Sequence, residues 1–514
     1  MPRLTRRAED GFSLFVVLMA LFAMSMFVAA AFAAANGNLG SSGDSRDRKV
    51  ALAAAEAGLN WYQSRLNLDP DFWTRCTNIT VPGGTTNPVN QLGAASPRWR
   101  NVPGAASQYM IELVPATPGG SCQENNNLSM ITANATFRIK VTGRARDGGR
   151  VRRALIGTFR RSSFLNYLWA TDYETADPRN YPTVAEQDDA DDDCAGRYRS
   201  ARSGCDEIQF GNKDKLLGPV HTNDDSLLTC RGTDGPIFGR TLADPVEVGG
   251  VSPGYTPACG GLPVFNGTRI YNRRTFVWPS TNQELGSIAD AAYVFTGPTE
   301  VRLDSASDTM TVKNGGTTRT LVALPPKGII YVRNGTGTCP TNPPPVIADY
   351  NDAAACGNLY VSGTYDKNLT FAAQNDIIIG PPYATNNGLI RTGDAVAGLV
   401  ADNFVRVYHK VSGCSNASTM GDVTIDAAIL ALQHSFTVDN FRCGSPLGSL
   451  TVNGAIAQRY RGAVATSYSG NVVTGYDKNY NYDNRFGYRS PPNFIEPVDA
   501  SWSVARLNEA VPAR

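Results

Sequence analysis

Residues 12–35 read FSLFVVLMALFAMSMFVAAAFAAA, an apolar run in which Ser13 and Ser25 are the only polar positions. About 20 apolar residues are enough to cross a bilayer, so this pattern predicts a transmembrane helix over 12–35. Arg3, Arg6 and Arg7 precede the run and the next cation is Arg46. That asymmetry predicts a cytoplasmic N-terminus and an extracytoplasmic remainder. From 44 to 66 the apolar positions Val50, Leu52, Leu59, Tyr62 and Leu66 fall near one helical face, with charges opposite, so the helix continues over 36–68. Asn36-Gly37-Asn38 and Gly40-Ser41-Ser42-Gly43 lie between the two stretches and predict a kink or a melted turn.

Beyond the helix the period changes to two. Gln108 to Val114 reads as a strand, and 137–141 alternates apolar and polar residues before Asp147-Gly148-Gly149 and a second run over 151–159. This is a hairpin signal. A small β domain is expected over 69–161, with a boundary near Arg161. From 162 to 500 come short β-like runs separated by Gly, Asn and Asp, after an aromatic stretch and an acidic segment expected as a loop. Taking one run per turn, Ile378, Val405, Ile429 and Ala455 recur every two to three dozen residues, the spacing expected when each coil of a β-solenoid adds one rung. The fold class is therefore α+β, mostly β: an N-terminal helix, a small hairpin domain, and a right-handed β-solenoid-like ectodomain, with a β-sandwich as the alternative. The Tyr- and Asn-rich segment 474–485 is expected to cap the last open rung, or to recognise a surface through its tyrosines. Residues 501–514 read as a C-terminal tail.

Gly11 immediately precedes Phe12, so a cleavage-type junction stands in front of the apolar helix rather than behind it. A secretory signal has the opposite order. With 1–11 as a leader, Gly11-Phe12, the apolar helix and Ala55-Glu56-Ala57-Gly58-Leu59 together resemble the type IV pilin class, and within it the PilX-type minor pilins. The resemblance covers about the first seventy residues. It implies processing by a prepilin peptidase after Gly11, N-methylation of Phe12, and packing among other pilins through Val16, Glu56 and Leu59. The fifth residue after the junction is Val16, where most pilins carry a Glu that is thought to neutralise a neighbour's terminal amine inside the apolar filament core. A repeated shaft position is disfavoured accordingly. Other readings of the apolar run are a secretory signal cut at the A-x-A pattern near Ala33 to Ala35, and an uncut anchor.

With a net charge of +1, nothing in the composition points to nucleic acid. Gly (50) and Pro (31) imply many turns, while 42% apolar residues are enough for folded cores. All ten cysteines follow the membrane segment, which in an exported chain suggests disulfides. Neighbour pairing gives Cys76 with Cys122, Cys194 with Cys205, Cys230 with Cys259, Cys339 with Cys356 and Cys414 with Cys443, although sequence alone leaves the connectivity open. There is no CxxC, and the three histidines, His221, His409 and His434, sit far from any cysteine cluster, so no metal centre is expected.

Catalytic motifs of the GxSxG, HExxH and Walker A types are absent, and no enzyme is expected. Gly218-Pro-Val-His221-Thr-Asn223-Asp224 is the one polar motif around a histidine; it resembles a segment at the start of coils in pilin-like and related surface solenoids. This implies a structural turn, with His221, Asn223 and Asp224 bonding backbone groups between rungs. Asp172, Glu174 and Asp177, and the run 188–193, offer paired carboxylates. Neither segment has the alternating oxygen ligands and tight-turn Gly of a calcium loop, so a solvated acidic loop is the leading reading, with calcium the one cofactor candidate and glycoside hydrolysis last.

Together these features suggest a single-pass, extracytoplasmic minor pilin-like subunit at a filament tip or in an initiating complex. Its β-rich head would serve adhesion, to a surface or carbohydrate ligand, or assembly. The alternative is a secreted or anchored β-helix carbohydrate-active enzyme, or a structural surface protein.

Overall fold

A computed structural model describes residues 12–69, 72–74, 91–92, 98–116, 136–181, 183–194, 205, 208–211, 214–229, 236–257, 262–339, 353–380, 388–468, 471–487, 489–498, 500 and 502–511. The chain is mostly β and divides into two compact units: residues 1–132, 136–160 and 501–514, and residues 133–135 with 161–500.

The first unit is built on one helix, α1 (Phe12–Leu68), which runs 57 residues without a break. The melted turn expected at 36–43 does not occur. Gly and Asn inside a helix cost roughly 0.5–1 kcal/mol each, which lowers the stability of those turns without forbidding them. The second half of α1 lies on an antiparallel sheet formed by Gln108–Val114, Thr136–Arg144 and Arg152–Arg161, with Arg100–Asn101 and Gln91–Leu92 at one edge and Trp502–Ala510 at the other. The hairpin expected around Asp147-Gly148-Gly149 pairs Thr136 with Arg160 through Arg144 with Arg152. Helix and sheet approach closely because Gly143 faces the helix: a Cβ there would stand 2.0 Å from the Ala51 carbonyl oxygen. Ala51, Ala54, Ala55, Leu59, Tyr62 and Leu66 form the buried face of α1. Beneath them Phe137 stacks on Phe159 at 5.2 Å and on Trp73 at 5.1 Å, and Trp502 meets Phe137 edge-on at 4.9 Å. Trp502–Ala510 is thus a strand of this sheet rather than part of a free tail. This strand returns to the first unit because Trp502 fills its aromatic core.

The second unit is a parallel-stranded coil, which excludes the sandwich alternative, since sandwich sheets are antiparallel. Its register can be followed down one column of paired residues: Ile330, Phe371, Leu399, Ile429, Ile456, Trp169, Val220 and Val246, each hydrogen-bonded rung to rung with the next. All eight are buried and form the core inside the coil. Ile377, Val405 and Phe436 stack on a second face, and Leu389, Ile425, Val452 and Tyr480 on a third. The expected set Ile378, Val405, Ile429 and Ala455 mixes two faces. Ile378 is paired with Arg406 and Ala455 with Ala428, because each coil contributes short strands to several faces and one apolar run per coil cannot reveal which.

The order along this column is not the order of the chain. Trp169 enters in the middle; from it the coil proceeds through Val220 and Val246 to Thr268–Ile270 at one end. The chain then returns to the opposite end at Val294–Thr296 and winds back until Ile456 pairs with Trp169. Residues 271–293 make that return as a strap over the outer face, passing the rungs in reverse. Phe276 binds Asn223, Trp278 donates to the Ala431 carbonyl at 3.4 Å, Asn282 donates to the carbonyls of Val400 and Ala373 at 2.9 and 2.7 Å, and Gly286 lies against the Tyr331 ring. A second strap, 489–498, packs Phe494 on Gly398 and bonds to the first where Val498 N–H meets the Val277 carbonyl at 2.9 Å. The straps account for the apolar outer row Tyr331, Ala372, Val400, Leu430 and Ala457, which is buried rather than wet.

Two further expectations change. The segment 474–485 does not cap an end: Asn471–Tyr482 is an internal rung, paired with Pro446–Gln458 on one side and, through Tyr480 and Asn481, with Leu216 and Leu217 on the other. The acidic run 188–193 is not a loop but the end of α2 (Val184–Asp193), started by a capping box in which Thr183 and Glu186 satisfy each other's backbone N–H groups.

Candidate anchor helix and buried charge cluster

Within α1, Leu14–Ala33 is a 20-residue apolar stretch with exposed side chains, long and apolar enough to cross a membrane. Gly11 lies outside the described residues, and Phe12 opens the helix. Val16 is 50% exposed and Glu56 is exposed, so both are open to a neighbour. Leu59 is not. It is 5% exposed and packs on the sheet of its own unit, where a Cβ on Gly157 would come within 2.6 Å of its methyl, so it belongs to an internal core rather than to filament packing.

Cys194 is bonded to Cys205, Cys339 to Cys356 and Cys414 to Cys443. The last ties the turn of the hairpin His409–Ser412 and Ser415–Thr419 to Cys443, just beyond Phe436–Val438. Cys76, Cys122, Cys230 and Cys259 lie outside the described residues.

The acidic residues expected in solvent are buried at the junction where the first coil meets the last. Asp172, Glu174 and Asp177 are 2%, 1% and 0% exposed. Their segment follows Trp169–Thr171, which is sandwiched between Val220–Thr222 and Ile456 to Gln458, so each carboxylate finds partners on neighbouring rungs. Asp172 accepts from Asn223 Nδ2 at 2.7 Å and faces Arg459 at 4.0 Å. Glu174 accepts from Thr171 Oγ1 and is paired with Arg461 at 3.5 Å. Asp177 faces His434 Nδ1 at 3.1 Å and caps the turn at Arg179. The Arg461 guanidinium is itself buried, 3.7 Å from the Phe210 ring centre. A buried carboxylate without such partners would be far too costly to keep ionised.

His221, Asn223 and Asp224 join this network, all at most 1% exposed. His221 lies in a strand, not a turn, and its ring bonds side chains rather than backbone: Nδ1 meets Glu247 Oε2 and Nε2 meets Asn223 Oδ1, both at 3.1 Å. Asn223 does bond the backbone, accepting from Phe276 N–H at 2.7 Å and donating to the Phe276 carbonyl at 2.8 Å, which fixes its amide orientation. Asp224 accepts from the Glu174 N–H at 2.8 Å. Phe276 stacks on His221 at 4.2 Å. Glu247 also accepts from Tyr167 at 2.9 Å and pairs with Arg273 at 3.1 Å. Burial pushes the Glu247 carboxyl up, but the hydrogen bond and charge of His221, together with Arg273, outweigh it and hold the group below its ordinary range. Together these contacts fasten the start of the return strap to the end of the coil. Glu247, Arg273, Phe276, His434 and Arg461 had no local signal in the sequence; the partners of these contacts are brought together only by the coil.

Chemically, the cluster is a buried network of ion pairs and amide bonds in which Asp172, Glu174 and Asp177 are shielded from solvent. Among the described residues no three His, Cys, Asp or Glu side chains are placed to hold a metal ion.

No protein-family model and no curated protein matches this chain. Among solved structures it is similar to the competence-associated pilin ComZ from Thermus thermophilus, with 11% identity and a TM-score of 0.24 over 90% of this chain and 98% of that one.

Proposed function

We propose that this chain is a minor type IV pilin-like subunit of the PilX type, cleaved after Gly11 by a prepilin peptidase and methylated at Phe12. It stands in the membrane by its helix with an extracytoplasmic C-terminus, and then at a filament tip or in an initiating complex with other pilins. The observation that carries this reading is the Gly11-Phe12 junction placed directly before one unbroken 57-residue helix, whose apolar first part is exposed and whose second part bears a sheet. The three disulfides among the described residues support an oxidising, extracytoplasmic location. Val16 in place of an acid supports a special position over a repeated one. The head acts by binding, to a surface, a carbohydrate or another subunit, and not by catalysis; the burial of Asp172, Glu174 and Asp177 in ion pairs supports that assignment, and the reading requires no cofactor.

Intact mass and N-terminal sequencing of the protein from its native membrane test the proposal. A mature chain beginning at Phe12 with one added methyl is expected; a start near Asn36, or an uncut Met1, overturns it. Labelling along sheared filaments tests the position, and an even distribution at the abundance of a main subunit would refute a tip role.

A further inference from the structure

We propose that the tip of the hairpin in the first unit, together with the helix beside it, is a docking surface for the anionic phospholipid headgroups of the membrane in which α1 is anchored. The inference rests on the anchoring reading of Leu14–Ala33 and goes beyond it by assigning a second, electrostatic contact.

The strand Thr136–Arg144 descends α1 toward its N-terminus. Phe137 lies by Tyr62, Val141 by Gly58, and Gly143 by Ala51 and Ala55. The turn that follows, closed by the Gly149 N–H on the Arg146 carbonyl at 3.0 Å, therefore lies still lower, level with residues near 46–49 of the helix. Cations converge at that level. The hairpin brings Arg146, Arg150 and Arg152, all exposed; the helix brings exposed Arg46, Arg48 and Lys49, while Arg144 is buried and paired with Asp147. Asp44, Asp47 and Asp147 oppose them there, with Asp147 engaged by Arg144, and Glu509 on the adjoining strand is taken up by Arg153. The Trp99 indole takes Arg144 at 4.1 Å and Arg152 at 5.5 Å, which stiffens the guanidinium array with the residue most suited to a membrane interface.

Distance decides whether this patch can feel the bilayer. Arg46 stands 13 residues beyond Ala33, or about 20 Å along a continuous helix. Headgroups extend roughly 5–7 Å beyond the hydrocarbon, and a helix tilt of about 20° lowers one side further. With the reach of an arginine side chain, the remaining gap is about a Debye length, near 8 Å in physiological salt, so a salt-sensitive attraction survives. Charge complementarity selects anionic lipid, and the anchor in the same helix makes the membrane the one partner that is always present.

The test is hydrogen–deuterium exchange on the full chain in nanodiscs of phosphatidylcholine alone and of phosphatidylcholine with phosphatidylglycerol. Amides of 145–151 are expected to exchange about three-fold or more slowly in the anionic discs, with the difference abolished by high salt and by Arg146→Glu with Arg150→Glu. Both positions are exposed, so the variant should keep the wild-type melting temperature. Equal exchange in both discs overturns the proposal, as does protection by added duplex DNA or by an acidic protein where phosphatidylglycerol gives none. Failure of the chain to enter discs at all would instead remove the anchor reading.

Discussion

The two units use charge in opposite ways. In the first, arginines crowd an exposed hairpin tip and helix flank, while the core beneath is aromatic and neutral: Tyr62, Phe137, Phe159, Trp73 and Trp502. In the second, charge goes inward. Arg461 with Glu174, Arg406 with Asp376 and Asp439, and His221 with Glu247 are all buried. The difference follows from topology. A helix on an antiparallel sheet closes its core with apolar faces alone, whereas a coil assembled from two stretches that meet in its middle must specify which rung joins which. Arg461 with Glu174 spans that junction, while the other two pairs join consecutive coils, so buried charge matches rung to rung along the coil as well as where its two stretches meet.

The largest effect should come from breaking the junction. Arg461→Ala leaves Glu174 buried without its cation and is expected to cost about 3–5 kcal/mol in denaturant unfolding of the detergent-solubilised chain. Arg461→Met with Glu174→Gln should recover most of that loss, and failure to recover would mean that the cation's packing on Phe210 matters more than the pair.

Gly143→Ala attacks the first unit by sterics alone. Its Cβ would meet the Ala51 carbonyl at 2.0 Å, so helix and sheet must separate, at a cost of about 2–4 kcal/mol that appears as lost protection of 136–160 with the second unit unchanged. Asn223→Ala removes the amide that holds Phe276. A loss of about 2–3 kcal/mol is expected, together with faster amide exchange over 271–293, because Phe276 and Asp172 each lose a partner.

A smaller effect depends on pH. Asp402, which accepts from the Asn282 N–H at 2.6 Å and from Thr281 at 3.2 Å, is pushed up by burial to about 6. Its folded form holds the proton more tightly than the unfolded chain does, so its contribution is full below the ordinary 3.8, falls as pH rises toward 6, and is constant above. Melting from pH 4 to 7 should lose on the order of 2 kcal/mol from this group, and Asp402→Asn should flatten that slope. Glu247 slopes the other way, losing stability as pH falls below its ordinary 4.5. At the bottom of the scale, Asp189→Asn on the exposed face of α2 should change stability by less than about 0.5 kcal/mol.

Local pattern was enough for much of this architecture. The apolar run from Phe12, the alternation across the hairpin, and short aliphatic runs such as Ile377–Ile379 and Ala428–Ala431 each report a period or a run that depends only on neighbours in sequence. The polar residues were misjudged for the same reason. Asp172, Glu174 and Asp177 look solvated because nothing within a few positions can pair with them; their partners Arg459, Arg461 and His434 lie hundreds of residues away. The acidic run 188–193 looks like a loop until the capping box of Thr183 and Glu186 is seen to start a helix ahead of it.

Neighbouring residues alone establish that an apolar helix begins at Phe12, that a hairpin follows, and that the rest is built of short strands separated by turns. Hydrophobic period and turn chemistry are properties of adjacent residues. Only the tertiary structure decided that Trp169 enters the coil in its middle, that 271–293 straps the stack in reverse, that Trp502 returns to the first core, and that the acidic residues are buried. Each of those choices is made by a free energy shared between residues far apart in the chain, with Ile456 against Trp169, Asn223 around Phe276 and Arg461 beside Glu174, and no local pattern encodes a partner that folding alone brings near.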